Sequence, residues 1–191
     1  MTKAEPGRLD VLAMRVVLNG LLSPLYGSYV GQMGLRGDER VLDYGSGSGA
    51  AARHLAARLR PPGRLTCVDI SARLQWALRG VLRAYPEVEL RLGDVRTLGL
   101  PGASFDVVLV HWMLHDVPPW DRPAIVVELA RLLRPGGRLF VREPTGERHG
   151  MPAAEARALL AAAGLSETLG KESRALVLGE HYRAVWVKPA G

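Results

Sequence analysis

Apolar residues along this chain gather into blocks separated by glycine- and proline-rich breaks. "ERVLDYG" (39–45), "RLTCVDI" (64–70) and "SFDVVLVHW" (104–112) are short runs of nearly continuous apolar character. Runs of that length, rich in β-branched residues and bounded by turn residues, predict strands buried on both faces. "VELRLGD" (88–94) alternates instead, and "RLFVREP" (138–144) is a further strand-like segment. Between them lie stretches of strong helix formers: "AAARHLAARL" (50–59), "ARLQWALRGVLRAY" (72–85), "PAIVVELARLLR" (123–134) and "PAAEARALLAAAG" (152–164). Ser71 is placed as an N-cap. Pro61-Pro62-Gly63, Pro86, Pro135-Gly136-Gly137 and Gly164 are placed as stops. Residues 9–35 have a helical pattern interrupted at Gly20, Pro24, Gly27, Gly31 and Gly34. The tail, 165–188, has two strand-like halves, "LSETLGK" and "EHYRAVWVK".

Strand and helix thus alternate five times before two closing strands. This order predicts an α/β fold: a doubly wound, Rossmann-like, seven-stranded sheet, mostly parallel with an antiparallel C-terminal strand. The expected organisation is an N-terminal helical cap over residues 1–34 and a single structural unit over 35–191.

Composition narrows the class. A chain of 191 residues, 48% hydrophobic and 23% charged, has the make-up of one ordinary globular domain. Its one cysteine, Cys67, excludes an internal disulfide and a multi-cysteine metal site. No metal is expected, and a reducing, cytoplasmic setting is. No run reaches the roughly 20 apolar residues of a membrane span. "VLAMRVVLNGLL" (11–22) is broken by Arg15 and Asn19 and reads as a helix lying on the domain. An in-plane membrane helix is the weaker alternative, because its polar face is not rich in Lys and Arg. The net charge of +6 invites a nucleic-acid partner. Lysine occurs only at positions 3, 171 and 188, however, and the arginines are scattered singly, as at Arg53, Arg58, Arg60, Arg73, Arg79 and Arg83. A solvated basic surface is therefore the preferred reading. Oligomeric state leaves no mark on the sequence.

The candidate chemistry begins at "VLDYGSGSGA" (41–50). In open α/β sheets, ligands bind outside the carboxyl ends of the strands. Four features fall there: residues 43–49, Asp69, Asp94, and His111 onward. Alternating Gly45, Gly47 and Gly49 allow a tight turn and close approach of a ligand to backbone. A phosphate-binding P-loop needs Gly-Lys-Ser/Thr, whereas Ala50 and Ala51 follow Gly49. Gly45, Gly47 and Ala50 do satisfy the dinucleotide spacing, with Asp69 ending the second strand. On this motif alone a nicotinamide-dependent oxidoreductase stays open.

The wider pattern resembles the class I S-adenosylmethionine-dependent methyltransferases, particularly the small-molecule type. "VLDYGSGSG" is similar to the first motif of that family, "CVDIS" to the second and "GDV" (93–95) to the third. "FDVVLVHWMLHDV" resembles its fourth strand and following loop, and "ELARLLRPGGRLFVREP" its helix, Pro-Gly-Gly turn and fifth strand. The resemblance covers about residues 35–190. It implies S-adenosylmethionine as cofactor, held by Asp43, Gly45, Ser46, Gly47, Gly49, Asp69, Ile70, Asp94, Val95 and His111. In those roles Asp43 faces a positive group, Asp69 accepts from the ribose hydroxyls and Ile70 packs on adenine. Asp94 accepts from the adenine amino group, the Val95 amide donates to the ring, and His111 faces the methionyl part through its backbone.

Methyl transfer needs a base only when the acceptor must lose a proton. His115-Asp116 resembles the Leu-His-Asp run of plant-type small-molecule O-methyltransferases, which implies His115 as general base. An unperturbed imidazole titrates near ~6.5, which suits that role. Asp116 is a poor orienting partner, since neighbouring residues point apart. "DVPPW" (116–120) departs from the Asp-Pro-Pro-Tyr loop of nucleic-acid amino-methyltransferases: Val117 interrupts it, and it lies well past the strand end. The resemblance implies a small-molecule acceptor in a pocket roofed by the N-terminal helices and the loop after the fifth strand, lined by Tyr26, Tyr29, Trp112 and His149. Tyr26 and Tyr29, three apart, fit one buried helix face equally well. An RNA methyltransferase and a non-catalytic cofactor-binding subunit are the rival readings.

Overall fold

The computed structural model describes residues 5–146 and 150–190. These fall into two compact units that divide between Leu98 and Gly99.

The first unit holds α1 (Arg8–Val16), a π-helical turn (Val17–Leu21), α2 (Ser23–Gly31), β1 (Arg40–Tyr44), α3 (Ala52–Ala56), β2 (Arg64–Asp69), α4 (Ala72–Val81) and β3 (Glu89–Leu92). β1 pairs with β2, and β2 with β3, all parallel, which places Asp43 opposite Cys67 and Asp69 opposite Leu92. The continuous apolar runs are buried as expected: Val41, Leu42, Leu65, Cys67 and Val68 are at most 1% exposed. Leu55, Ala77 and Leu78 bury the helices against them. Each such large side chain contributes about 1.5–3 kcal/mol to folding.

Ser71 caps α4, its hydroxyl accepting from the Leu74 amide at 3.1 Å. α4 ends at Val81, earlier than the periodicity predicts, where a tight turn closed by Tyr85 N–H on the Leu82 carbonyl takes over. α3 is also shorter than predicted. Its N-terminal end is consumed by the glycine turn, in which Gly49 N–H bonds the Ser46 carbonyl.

The N-terminal helices belong to this first unit. Asn19, presented by the π-helical turn, donates to the Ser48 carbonyl at 2.7 Å, and its own carbonyl accepts from Arg53 at 2.7 Å. Ser23 Oγ lies 3.0 Å from His54 Nε2, and Arg58 donates to the Gly27 carbonyl. These bonds tie the N-terminal helices to α3 and the glycine turn.

The second unit holds β4 (Phe105–His111), a 3₁₀ turn (Leu114–Asp116), α5 (Arg122–Leu132), β5 (Leu133–Pro144), α6 (Ala153–Ala162), β6 (Ser166–Ala175) and β7 (Gly179–Val187). β4 pairs parallel with β5, β5 antiparallel with β7, and β7 antiparallel with β6. The two closing strands are the predicted hairpin; β6 runs longer than the sequence suggests, while β7 keeps the expected nine residues. β5 starts early because the chain extends directly from α5. Its register then jumps from Phe105↔Leu133 to Val107↔Arg138 around Pro135-Gly136-Gly137. Seven strands, with β7 antiparallel to both its neighbours, make the Rossmann-like α/β fold expected.

Candidate active site

The first unit gathers three carboxylates and the glycine turn at the ends of its strands. Gly45 and Ser46 both donate backbone N–H groups to the Val68 carbonyl, which fastens the turn to β2. Gly45, Gly47 and Gly49 all take positive φ (73°, 51° and 90°). Their roles differ. A Cβ on Gly47 would meet only the Gly45 carbonyl at 3.8 Å, so this position is open to a ligand. A Cβ on Gly49 would come within 2.5 Å of Leu78 Cδ1, so this glycine serves the packing of α4. Gly49→Ala is expected to cost about 3 kcal/mol, from the clash and the left-handed backbone together. Chemical denaturation would read it, with Gly47→Ala costing less.

Asp43 is 2% exposed, and among the described residues its Oδ2 has no hydrogen-bond partner. Burial, and secondarily the nearby Asp69, push its pKa up to about 7. Asp69 is buried as well, and burial raises its pKa. Unlike Asp43 it is satisfied: Oδ2 accepts from Gly47 N–H at 2.8 Å and Oδ1 from Ser71 N–H at 2.8 Å. Each oxygen keeps a further lone pair for a hydroxyl. Ile70, next along, is 44% exposed, an apolar side chain left facing solvent at the strand end. Val95 is fully buried and anchors the third loop. Asp94 is clasped by Arg96, whose Nε lies 3.0 Å from each carboxylate oxygen. That contact lowers the Asp94 pKa. Any ligand amino group at Asp94 must share it with this guanidinium.

The second unit places a histidine on a buried carboxylate. Glu143, at the end of β5, is fully buried. Its Oε1 accepts from Met113 N–H (2.8 Å) and Leu114 N–H (2.9 Å). Its Oε2 accepts from His115 N–H (3.3 Å) and lies 2.7 Å from His115 Nδ1. The 3₁₀ turn is thus wrapped around one carboxylate, which holds the imidazole by Nδ1 and leaves Nε2 on the side of Asp116. Asp116 lies 3.6 Å from Nε2, so the orienting partner is Glu143 and not the sequence neighbour. Arg122 secures the loop from behind, donating to the Val117 and His115 carbonyls and pairing with Glu155 at 2.6 Å.

Trp112 packs edge-on against His115, with ring centroids 6.4 Å apart. Its φ of 57° is in the left-handed region, strain of the kind that collects at functional sites. Its buried indole Nε1 has no hydrogen-bond partner among the described residues. His111 is half-buried with its ring Nε2 enclosed, and desolvation, followed by Arg142, drives its pKa down to about 3, so its ring is neutral. Tyr29 is a buried side chain of α2 and Tyr26 is half-buried, while His149 lies outside the described residues.

Glu143 and Arg122 were missed in the sequence reading. The available signal was an acid at the end of the strand-like run "RLFVREP", which needs a partner when buried.

A family profile described as "Methyltransferase domain" matches residues 41–137, about half of the chain. The chain belongs to this family. Its members of class I use S-adenosylmethionine, and the first unit fits that cofactor chemically. The orphaned Asp43 oxygen and the pair of buried carboxylates call for a cation with N–H donors, and Asp69 offers spare lone pairs for a diol. A demethylmenaquinone methyltransferase of Tropheryma whipplei is 35% identical over 113 residues, 58% of this chain and 44% of that one. A ubiquinone biosynthesis O-methyltransferase of Xanthomonas campestris pv. campestris is 32% identical over 189 residues, 97% of this chain and 64% of that one. The chain spans less than half the length of the first curated relatives it matches. The N-methyltransferase NodS from Bradyrhizobium japonicum, crystallised with S-adenosyl-L-homocysteine, superposes with a TM-score of 0.74 over 87% of both chains. At 18% identity that likeness concerns the fold.

Proposed function

We propose that this methyltransferase-family chain transfers the methyl group of S-adenosylmethionine to the hydroxyl of a small molecule, with His115 as general base. The observation that carries this reading is the His115 Nδ1–Glu143 contact of 2.7 Å. An electrophilic methyl is what the cofactor supplies when bound. An alcohol or phenol must shed its proton as the new C–O bond forms, and an imidazole whose Nδ1–H is engaged by a carboxylate presents a basic Nε2 for that proton. Buried Glu143 stabilises the imidazolium that results. Asp43 and Asp69 hold the donor, Gly47 gives it backbone access, and Ile70 offers an apolar surface for its purine. Trp112 provides an aromatic wall and an indole N–H beside the base.

The relatives named above include an O-methyltransferase, which supports oxygen as acceptor. The nucleic-acid reading draws less support, since much of the arginine is paired with acid: Arg91 with Glu89, Arg96 with Asp94, Arg131 with Glu128 and Arg157 with Glu172. A screen with the methyl-labelled donor over phenolic and aliphatic hydroxyl compounds, amines and tRNA tests the proposal. Label in an O-methyl product supports it. Label confined to tRNA or amines refutes it.

A further inference from the structure

A feature of the first unit has no part in this chemistry. Leu9, Leu12 and Val16 stand on one side of α1 and are 80%, 56% and 58% exposed, and Leu21 continues the series at 76%. Single exposed leucines need no explanation, but a run of them along one helix marks an interaction surface. Leu12 and Val16 also form one wall of an open groove of about 670 Å³, with Arg15 beside them and Arg53 and Tyr85 among the residues opposite.

The groove is electropositive. Arg15 has no ionic or hydrogen-bonding partner among the described residues, and Arg53 bonds only the Asn19 carbonyl. Among the described residues, no carboxylate lines the groove. His54, also in its wall, has its pKa lowered by burial and then by Arg53 and Arg58. The acid of α1, Asp10, is engaged with the Gly7 amide at 2.9 Å, and Glu5 is engaged at the start of α4. The polar face of α1 is poor in cations by itself; α3 supplies Arg53 across the groove, which the sequence of the helix could not reveal. No single described helix is long and apolar enough to cross a membrane.

Exposed leucines beside arginines that pair with no carboxylate among the described residues match the order of layers in a lipid leaflet, acyl chains next to phosphates. We propose that this face docks on an anionic bilayer. Leu9, Leu12, Val16 and Leu21 enter the acyl boundary, and a headgroup phosphate occupies the groove with Arg15 and Arg53.

The test is flotation of the full chain with vesicles of phosphatidylcholine alone and of phosphatidylcholine with phosphatidylglycerol. Binding is expected only to the anionic vesicles and is expected to weaken with added salt. Arg15→Gln should reduce binding about fivefold, the usual effect of one basic residue at such a surface. Leu9→Ser with Leu12→Ser should reduce it about tenfold or more. Thermal melting and calorimetric binding of S-adenosylhomocysteine should be unchanged in both variants, which keeps this outcome separate from the fate of the methyl-transfer reading. Equal binding to neutral and anionic vesicles, no binding to either, or no effect of Arg15→Gln would overturn the proposal. So would sedimentation showing that the leucine variant only dissolves a dimer, which would give the face to a second copy of the chain. Binding of inorganic phosphate without vesicle binding would also overturn it, leaving an anion site.

Discussion

Glu143→Gln is expected to lower kcat/KM for the hydroxyl acceptor by about 10²–10⁴-fold, with cofactor affinity unchanged. Glutamine keeps the volume of Glu143, and its carbonyl oxygen can still accept from the Met113 and Leu114 amides, now 2.8 and 2.9 Å from Oε1. Its NH₂ group then occupies the place of Oε2, which faces both His115 N–H and Nδ1. A donor there favours the imidazole tautomer protonated on Nε2, which can no longer accept a proton. His115→Ala should lose a similar factor, and the double variant little more, because the two act as one unit. Steady-state rates, with calorimetry for S-adenosylhomocysteine, check this. The loss should fall on kcat with little change in KM for the cofactor. A purely structural role for Glu143 would instead lower the melting temperature and weaken both substrates together. Glu143→Ala is the less informative variant, since it orphans three backbone amides at about 1–3 kcal/mol each and endangers folding.

The second large effect concerns Asp43 and pH. Its carboxyl holds a proton up to about pH 7 in the folded chain, against an ordinary value of 3.8. Between those values the native state binds more protons than the unfolded state, so stability without cofactor falls as pH rises. Across the whole window the loss is about 4 kcal/mol. A cationic ligand reverses the balance, because it binds the ionised carboxylate. S-adenosylhomocysteine affinity is therefore expected to rise about tenfold per pH unit up to about pH 7 and then level off. Asp43→Asn should be more stable than the parent at pH 8 when free of cofactor. It should bind the nucleoside roughly 10–100-fold more weakly there, the worth of one charge-assisted hydrogen bond. Thermal melts at pH 5.5 and 8, with and without S-adenosylhomocysteine, would read both effects. A parent protein whose cofactor-free stability rises over that interval would contradict this account of Asp43.

The succession of strands and helices, and the acids and glycines at the ends of the first unit's strands, were legible in the sequence because they follow from local signals. Continuous apolar runs mark buried strands, and an acid or glycine where such a run stops marks a strand end facing ligand. Asp43, Gly47 and Asp69 could be placed that way. His115 could be singled out from "LHD", but its carboxylate partner could not, because Glu143 reaches His115 across 28 residues through a fold-dependent contact. Spacing also could not separate the two kinds of glycine in one motif. Gly47 is open while Gly49 is filled by Leu78, a residue of the next helix. Nor does the "GDV" run reveal that Asp94 is shared with Arg96, since an acid and an arginine two apart in a loop face each other only when the backbone turns. The shortened α3 has the same origin: helix propensity favours residues 50–59, and the turn that the glycines make overrides its first residues.

The central claim is that the glycine turn, Asp43 and Asp69 form a site for the S-adenosyl nucleoside with its amino-acid tail, common to the methyl donor and its product. Calorimetric titration of the full chain at pH 8 with S-adenosylhomocysteine and, separately, with NAD tests it most directly. One equivalent of S-adenosylhomocysteine should bind, with affinity reduced in Asp69→Ala, and NAD should give no heat of binding. Saturable binding of NAD without binding of S-adenosylhomocysteine would contradict it.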